Sequence, residues 1–346
     1  MSQVRPIKEV IKEQYIRCAK DPAFFLKTFC MIQHPIKGKI PFDLYDFQEK
    51  TINEFEQNRM NIILKARQLG ISTLTAGYSL WMMTFQQDKN ILVIATKQET
   101  AKNLVSNSKG ILAMDESFPT IKKRFEKLNI EDTEQNRQIY RDLLVTAPDL
   151  NKYISGAILF DETIKQQTLS GQSFPDFLNS INIIPGIKVD AGAKPFSCHA
   201  GEKITEGLDG LDSRMKNYYS LGARFAKWRA VINISEENNL PSDASLIANA
   251  NALARYASIC QENNVVPIVE PEVLMDGNHP IELTLEKTSK TLSIVFEHLN
   301  FLDVYLEGII LKPSMVIEGV NCPKKNDSKI IASSTIKCLS ENVPQD

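Results

Sequence analysis

Tyr305-Leu306-Glu307-Gly308-Ile309-Ile310-Leu311-Lys312-Pro313-Ser314-Met315-Val316 is an apolar run of strand length that ends in a lysine, with a proline directly after it. A strand buried on both faces reads as such a continuous run. Lys312 stands where the strand stops, and Pro313, which has no N–H, prevents the ladder from continuing. An ammonium in that place must find a carboxylate, reach water, or lose its proton and become a nucleophile. A solvated strand end is the ordinary outcome for one such lysine. Here, upstream strands end in the same way.

Working outward, short apolar strands over 110–114, 155–161, 184–189, 223–228, 265–269 and 305–311 alternate with helical stretches. That alternation predicts a parallel sheet with right-handed crossovers. In a closed (βα)8 barrel, functional residues collect at the C-terminal strand ends. The charged residues at those ends are Asp115; Lys188 and Asp190; Lys227 and Arg229; Glu270 and Glu272; and Lys312. Three of these groups are spaced i, i+2, which puts both members on one face of a strand. Four acids stand against four bases, so the cluster is charge-balanced, as burial demands. Any one pair reads equally well as a structural ion pair; five strand ends in succession point to a site.

The chain has 346 residues, enough for one large domain or two ordinary ones, and its 43% hydrophobic and 24% charged content is that of a soluble globular protein. No run approaches the roughly 18 apolar residues of a membrane span, and Met1-Ser2-Gln3-Val4-Arg5 carries no signal-peptide core. The six cysteines are scattered and never form CxxC, which predicts reduced thiols in a cytosolic protein. The net charge of −2 hides an asymmetry: residues 1–105 hold 15 basic against 10 acidic side chains, and the remainder 25 against 32. Such a shift predicts two segments of different origin. It does not predict a nucleic-acid partner.

Residues 1–60 read as helical and amphipathic, with a break over 35–41. A strand over 61–65, a turn at Gly70, a helix through Phe85 and a strand over 90–96 make a β-α-β unit, which can place backbone N–H groups around phosphate. Pro41-Phe42-Asp43-Leu44-Tyr45-Asp46-Phe47-Gln48 and Ala66-Arg67-Gln68-Leu69-Gly70-Ile71-Ser72-Thr73 give residues 20–105 a resemblance to the start of the ATPase domain of tailed-phage terminase large subunits. The resemblance implies an adenine contact at Gln48 and nucleotide contacts at Arg67, Gly70, Ser72 and Thr73. Ile71 occupies the place where a P-loop carries lysine, which leaves Arg67 or Lys65 as the cation. A Walker B acid would be Asp161-Glu162 or Asp115-Glu116, although apolar strands ending in an acid occur throughout βα folds.

From about residue 100 onward the chain closely resembles class I fructose-1,6-bisphosphate aldolase. The motifs are Gly110-Ile111-Leu112-Ala113-Met114-Asp115-Glu116-Ser117, Gly186-Ile187-Lys188-Val189-Asp190, Ala226-Lys227-Trp228-Arg229, Val269-Glu270-Pro271-Glu272 and Leu311-Lys312-Pro313. Under this resemblance Asp161-Glu162 is the end of barrel strand two. The implied fold class is α/β, an incomplete (β/α)8 TIM barrel of six strands behind an N-terminal helical and β-α-β P-loop-like fragment. The implied reaction is reversible cleavage of fructose 1,6-bisphosphate to dihydroxyacetone phosphate and glyceraldehyde 3-phosphate. Lys312 would form the Schiff base, with Lys227 as the neighbouring positive charge that favours a free amine. Glu270 would be the acid/base for carbinolamine dehydration, with Glu272 in support, and Asp115 would take the C4 hydroxyl proton. Lys188, Arg229, Ser117 and Thr120 would contact substrate. Neither metal nor cofactor is implied, because the lysine serves as the electron sink.

The sequence departs from the family at its end. The helical stretch 328–339 corresponds to the helix after strand six, and the sequence stops at Asp346 where strand seven is expected. The Ser-Gly-Gly segment, the strand-eight arginine and the C-terminal tyrosine of the family are not found. Strands one and six are therefore expected to expose edges, although the strands at 61–65 and 90–96 bring the parallel total to eight. The expected domains are 1–100, terminase-like, and 101–346, aldolase-like, joined near 98–105. Each lost phosphate contact would cost about 2–3 kcal/mol, so Schiff-base trapping with poor cleavage is expected. The rival functions are a terminase-like ATPase for DNA packaging and an inactive fusion. The expected partner is a phosphorylated sugar, with no membrane or nucleic acid. The resemblance adds a homo-oligomer, a cytoplasmic location and a place in glycolysis or gluconeogenesis.

Overall fold

The structure, a computed structural model, describes residues 7–34, 38–58, 70–86, 96–105 and 109–344. The chain divides into two compact units, Met1–Ile94 and Ala95–Asp346.

In the first unit, helices Ile7–Lys20, Pro22–Phe29, Asp46–Gln57 and Ile71–Phe85 surround a core of Leu26, Phe42, Ile52 and Leu74. The break anticipated in the helical stretch is a β-hairpin, Met31–His34 against Gly38–Pro41. The anticipated strand at 61–65 and residues 90–95 of the one at 90–96 lie outside the described residues, as do Lys65 and Arg67 and any cover they would give to another sheet, whereas Thr96 opens a helix.

The second unit is built on six parallel strands: β1 (Gly110–Ala113), β2 (Ile154–Leu159), β3 (Ile184–Lys188), β4 (Phe225–Ile232), β5 (Val266–Val273) and β6 (Ile310–Leu311). They lie side by side in chain order, so among the described residues β1 and β6 each have one neighbour. Helices such as Asp243–Glu262 and Ile281–Phe301 cover the outer face, where Ala226, Trp228 and Ala230 of β4 pack with Leu253, Tyr256, Ala257 and Val295.

Alternation along each strand leaves the other residues pointing inward. At the N-terminal end these are apolar: Ile158, Phe225, Val266 and Ile268 pack with Ala101 and Leu104 of the helix Thr96–Leu104. Ser155 Oγ donates to the Leu104 carbonyl at 2.6 Å, which fixes that helix to the base of β2. The helix therefore belongs with the sheet, although the sequence places its first residues in the N-terminal domain. Two positions inside the sheet must be glycine to admit this plug. A Cβ on Gly186 would sit 2.3 Å from the Phe225 ring, and one on Gly156 would sit 2.5 Å from Leu104.

Further along the same faces the inward residues become charged: Phe225 is followed by Lys227 and Arg229, and Ile268 by Glu270 and Glu272. The sequence suggests strands that stop where these charges begin. Instead, β4 and β5 pair over eight residues, from Phe225 with Val266 to Ile232 with Val273. The backbone ladder is indifferent to inward charge when that charge is neutralised across the strands.

The opposite error concerns the run 305–311, which is a strand only at Ile310–Leu311. Leu306–Gly308 is a 3₁₀ turn. The reason is local. Gln261 binds both main-chain groups of Tyr305, donating to its carbonyl at 2.7 Å and accepting from its N–H at 2.9 Å, so neither is available to a ladder. The run is also only half-buried, not enclosed on both faces.

All six cysteines are free thiols, and among the described residues no helix is long and apolar enough to cross a membrane.

Gly186→Ala is expected to cost about 1–3 kcal/mol through overpacking against Phe225, measured by urea unfolding. Adding Phe225→Leu should recover part of that loss. A double variant no more stable than Gly186→Ala would show that the collision is not the cause.

Candidate active site

β1 and β4 are three strand spacings apart, about 14 Å if the sheet were flat. Yet the Asp115 carboxylate, just beyond β1, lies 3.1 Å from the Lys227 ammonium on β4. The sheet is thus curled, and its inner face closes around these side chains.

From Lys227 the charges continue. Glu270 Oε2 lies 3.6 Å from Lys227 Nζ, and Glu270 Oε1 accepts from Lys312 Nζ in a short ion pair. Four groups from four strands therefore form a row of alternating sign: Asp115, Lys227, Glu270, Lys312. Three are buried, with side-chain exposures of 10% for Asp115, 12% for Lys227 and 3% for Glu270, whereas Lys312 is 56% exposed. Lys227 and Glu270 each face opposite charge on both sides, Asp115 ends the row against Lys227, and the exposed Lys312 can meet a ligand.

Lys312 is placed by its main chain. Its N–H donates to the Val269 carbonyl at 2.9 Å, extending the β5–β6 ladder by one bond, and Pro313 ends it. Ser314 then ties the segment back to β5, its Oγ accepting from the Val273 N–H at 3.0 Å. A cavity of about 330 Å³ opens here, lined by Arg229, Glu270, Glu272, Asp276, Lys312 and Ser314, among others.

Burial pulls Lys227 toward losing its proton, but the carboxylates of Asp115 and Glu270 outweigh it, and the pKa is raised. Lys227 is therefore a fixed cation at neutral pH. Arg229 and Glu272 form a second ion pair nearer the rim, with side-chain exposures of 43% and 31%. Lys188 is held by Asp190 at 2.6 Å.

Ser117 and Thr120 lie beside β1, at the start of the helix Phe118–Glu126, with their hydroxyls 3.2 Å apart. The two anticipated Walker B pairs are engaged elsewhere. Glu116 forms ion pairs with Arg141 and Arg124. Glu162 receives a fork from Arg137 at 2.7 and 2.8 Å. Asp161 accepts from Tyr218 at 2.7 Å and Lys165 at 2.8 Å, and burial together with Asp161 pushes the Tyr218 hydroxyl up to about 12. Asp115 alone among these acids faces the cavity row.

In the N-terminal unit, Gln48 is buried and caps the helix Asp46–Gln57, its Oε1 accepting from the Tyr45 N–H at 3.1 Å. Gln48, Gly70 and Thr73 line one cavity of about 340 Å³. Gly70 precedes the helix Ile71–Phe85 with φ +66°. Arg67 and the Ser72 side chain lie outside the described residues.

Ser314, Met275, Asp276 and Met315 line the cavity without having been anticipated. They sit in loops beyond the strands, where no periodicity marks them. The i, i+2 rule that places Lys227 with Arg229 ends where the strands end.

A family model for fructose-bisphosphate aldolase class-I matches residues 97–346. A probable fructose-bisphosphate aldolase class 1 of Xanthomonas campestris is 55% identical over 246 residues, 71% of this chain and 73% of that protein. The fructose-bisphosphate aldolase of Dictyostelium discoideum is 51% identical over 71% of this chain and 69% of its own length. A solved structure of the Plasmodium falciparum aldolase, in complex with TRAP and a small-molecule inhibitor, superposes with a TM-score of 0.71 at 50% identity, covering 72% of each chain.

Lys227 keeps its proton to a higher pH in the fold than in the unfolded chain. Its contribution to stability is therefore complete below about pH 10.4 and is lost as pH rises through the raised folded value. Urea unfolding across the alkaline range should show that loss in the wild type and not in Lys227→Met. At neutral pH Lys227→Met should itself be destabilised by about 3–5 kcal/mol, because Asp115 and Glu270 lose the cation between them. An alkaline loss of the same size in both proteins would contradict the assignment.

Proposed function

The chain belongs to the class I fructose-bisphosphate aldolase family, and on that premise we propose that it is a lyase forming a Schiff base with fructose 1,6-bisphosphate at Lys312. The products of cleavage are dihydroxyacetone phosphate and glyceraldehyde 3-phosphate. The observation that carries the proposal is the contact of Glu270 with both Lys312 and Lys227: a nucleophilic amine, a carboxylate able to accept its proton and a fixed cation, at the wall of an open cavity.

Lys312 passes a proton to Glu270, and its nitrogen adds to the C2 carbonyl of the open-chain sugar. Glu270 returns the proton to the new C2 hydroxyl, and water leaves to give the iminium. Asp115 then takes the C4 hydroxyl proton as the C3–C4 bond breaks. The bonding pair moves into the enamine, and the aldehyde departs. Protonation at C3 and hydrolysis of the iminium release the second product and restore the amine. The iminium provides the electron sink, so the chemistry requires no metal.

Lys227 lies between the two carboxylates that move protons, holding each by charge in the low-dielectric interior. Glu272 orients Arg229 near the rim, where a guanidinium fork suits a phosphate. Lys188 supplies a second cation for phosphate, and Ser117 and Thr120 supply hydroxyls beside β1. The same reading takes the protein as a cytoplasmic homo-oligomer in glycolysis or gluconeogenesis.

For residues 1–100 the terminase-like resemblance is retained as a resemblance, without nucleotide turnover. Gln48 serves as a helix cap, and a residue other than lysine precedes Ser72. Magnesium-dependent ATP hydrolysis is expected to be undetectable. A rate abolished by Arg67→Ala would overturn this.

Borohydride reduction in the presence of dihydroxyacetone phosphate is expected to add the reduced three-carbon fragment to Lys312, located by peptide mass spectrometry. Lys312→Ala should abolish the adduct. No adduct in a folded sample, or one that persists at another lysine in Lys312→Ala, would overturn the mechanism.

A further inference from the structure

We propose that Asp190 is the positioning residue that holds the Lys188 ammonium for a substrate phosphate. The proposal rests on the phosphate role given to Lys188 above and assigns the group that makes that role possible.

Lys188 is the last residue of β3, and its side chain is 17% exposed. Its Nζ donates to Asp190 Oδ1 at 2.6 Å and to the Asp190 carbonyl at 3.0 Å. An ammonium has three donors. Two are thus spent on one residue, which leaves one for an anion. Asp190 is itself fixed, because the Gly192 N–H donates to the same Oδ1 at 3.0 Å. A flexible four-carbon stem is thereby confined to one geometry before any ligand arrives.

Apart from the Gly192 N–H contact to Asp190, other bonds also hold the loop. The Val189 N–H donates to the Lys227 carbonyl at 3.1 Å, the Ala191 N–H to the Glu206 carbonyl at 2.8 Å, and the Glu206 N–H to the Gly192 carbonyl at 3.2 Å. Arg214 donates to the Val189 carbonyl at 3.0 Å and, from its other terminal nitrogen, to the Gly207 carbonyl. Gly207, at φ +125°, lets that segment approach: a Cβ there would lie 2.8 Å from the Ala191 nitrogen. Main-chain bonds and Arg214 therefore hold the turn in addition to the contact between Asp190 and the Gly192 N–H.

The carboxylate, by contrast, is a costly feature. Its side chain is only 4% exposed, and Oδ2 is buried without a hydrogen-bond partner among the described residues. A half-satisfied buried carboxylate is unfavourable for stability. What it supplies is negative charge beside cations: Lys188 in direct contact, with Lys227 and Arg229 within electrostatic reach. It holds the Lys188 ammonium in place among like charges that would otherwise repel it.

The test uses borohydride trapping at Lys312 in the full chain, with fructose 1,6-bisphosphate and with phosphate-free dihydroxyacetone as probes. For each variant the half-saturating concentration of each ketose is measured, and their ratio reports the benefit of phosphate. Asp190→Asn is expected to shrink that benefit about tenfold, close to the loss in Lys188→Met. The double variant should lose no more than Lys188→Met alone, because both changes remove one contact. Independent, multiplying losses, or equal weakening for both ketoses, would assign Asp190 a structural role and overturn the proposal. If Asp190→Asn does not fold, Asp190→Glu decides by the same ratio: a loss confined to the bisphosphate supports positioning, and an equal loss or none overturns it. Absence of any adduct in the folded wild type would instead sink the Schiff-base reading, and a silent Lys188→Met would sink the phosphate role of Lys188.

Discussion

Four charges of alternating sign, contributed by four strands of one curled sheet, are the constraint on which the second unit depends. Asp115, Lys227, Glu270 and Lys312 can meet only if the sheet bends far enough to bring β1 opposite β4. Once met, Lys227 cannot be removed without leaving Asp115 in the interior beside no cation of the row. A buried ion pair is weak evidence of stabilisation, because apolar residues of similar volume commonly serve as well or better. The row is therefore better understood through its one exposed member. Lys312 opens onto a cavity while resting on a carboxylate that is itself held from behind by a fixed cation.

The curvature has its own cause at the opposite end of the strands. Phe225, Ile268, Ile158 and Leu104 fill the base of the sheet, and Gly156 and Gly186 make room for them. The interior thus changes along each strand from an apolar plug to a charged layer within two residues. The plug excludes water from below, which lowers the local dielectric and strengthens the interactions above it. Rigid strands carry Lys227 and Glu270, Asp115 and Lys312 stand directly beyond strand ends, and short loop bonds, such as that from Val273 to Ser314, hold the segment after Lys312.

Much of this is legible in the sequence because strand alternation and charge balance coincide. Spacing of i, i+2 placed Lys227 with Arg229 and Glu270 with Glu272 on inner faces, and the charge count required partners. Pairings between strands are not contained in such spacing. That Glu270 bridges two lysines, or that Glu116 is committed to Arg141 and Arg124 rather than to the cavity, depends on how far the sheet curls. The stretch 305–311 misled for a different reason: its apolar character is real, but Gln261 from a distant helix captures the backbone of Tyr305. Long-range side-chain capture of this kind leaves no local trace. Likewise β4 and β5 run on through their charges, because ladder pairing responds to backbone geometry and not to what faces inward.

The central claim is that the side chains meet as an acid/base row around the Lys312 nitrogen. A crystal structure of the protein after borohydride reduction with dihydroxyacetone phosphate tests it most directly. The account predicts continuous density from Lys312 Nζ to C2 of the ligand, with Glu270 in hydrogen-bond contact and Lys227 between Glu270 and Asp115. Density joined to a different lysine, or a sheet so open that Asp115 and Lys227 no longer touch, would contradict it.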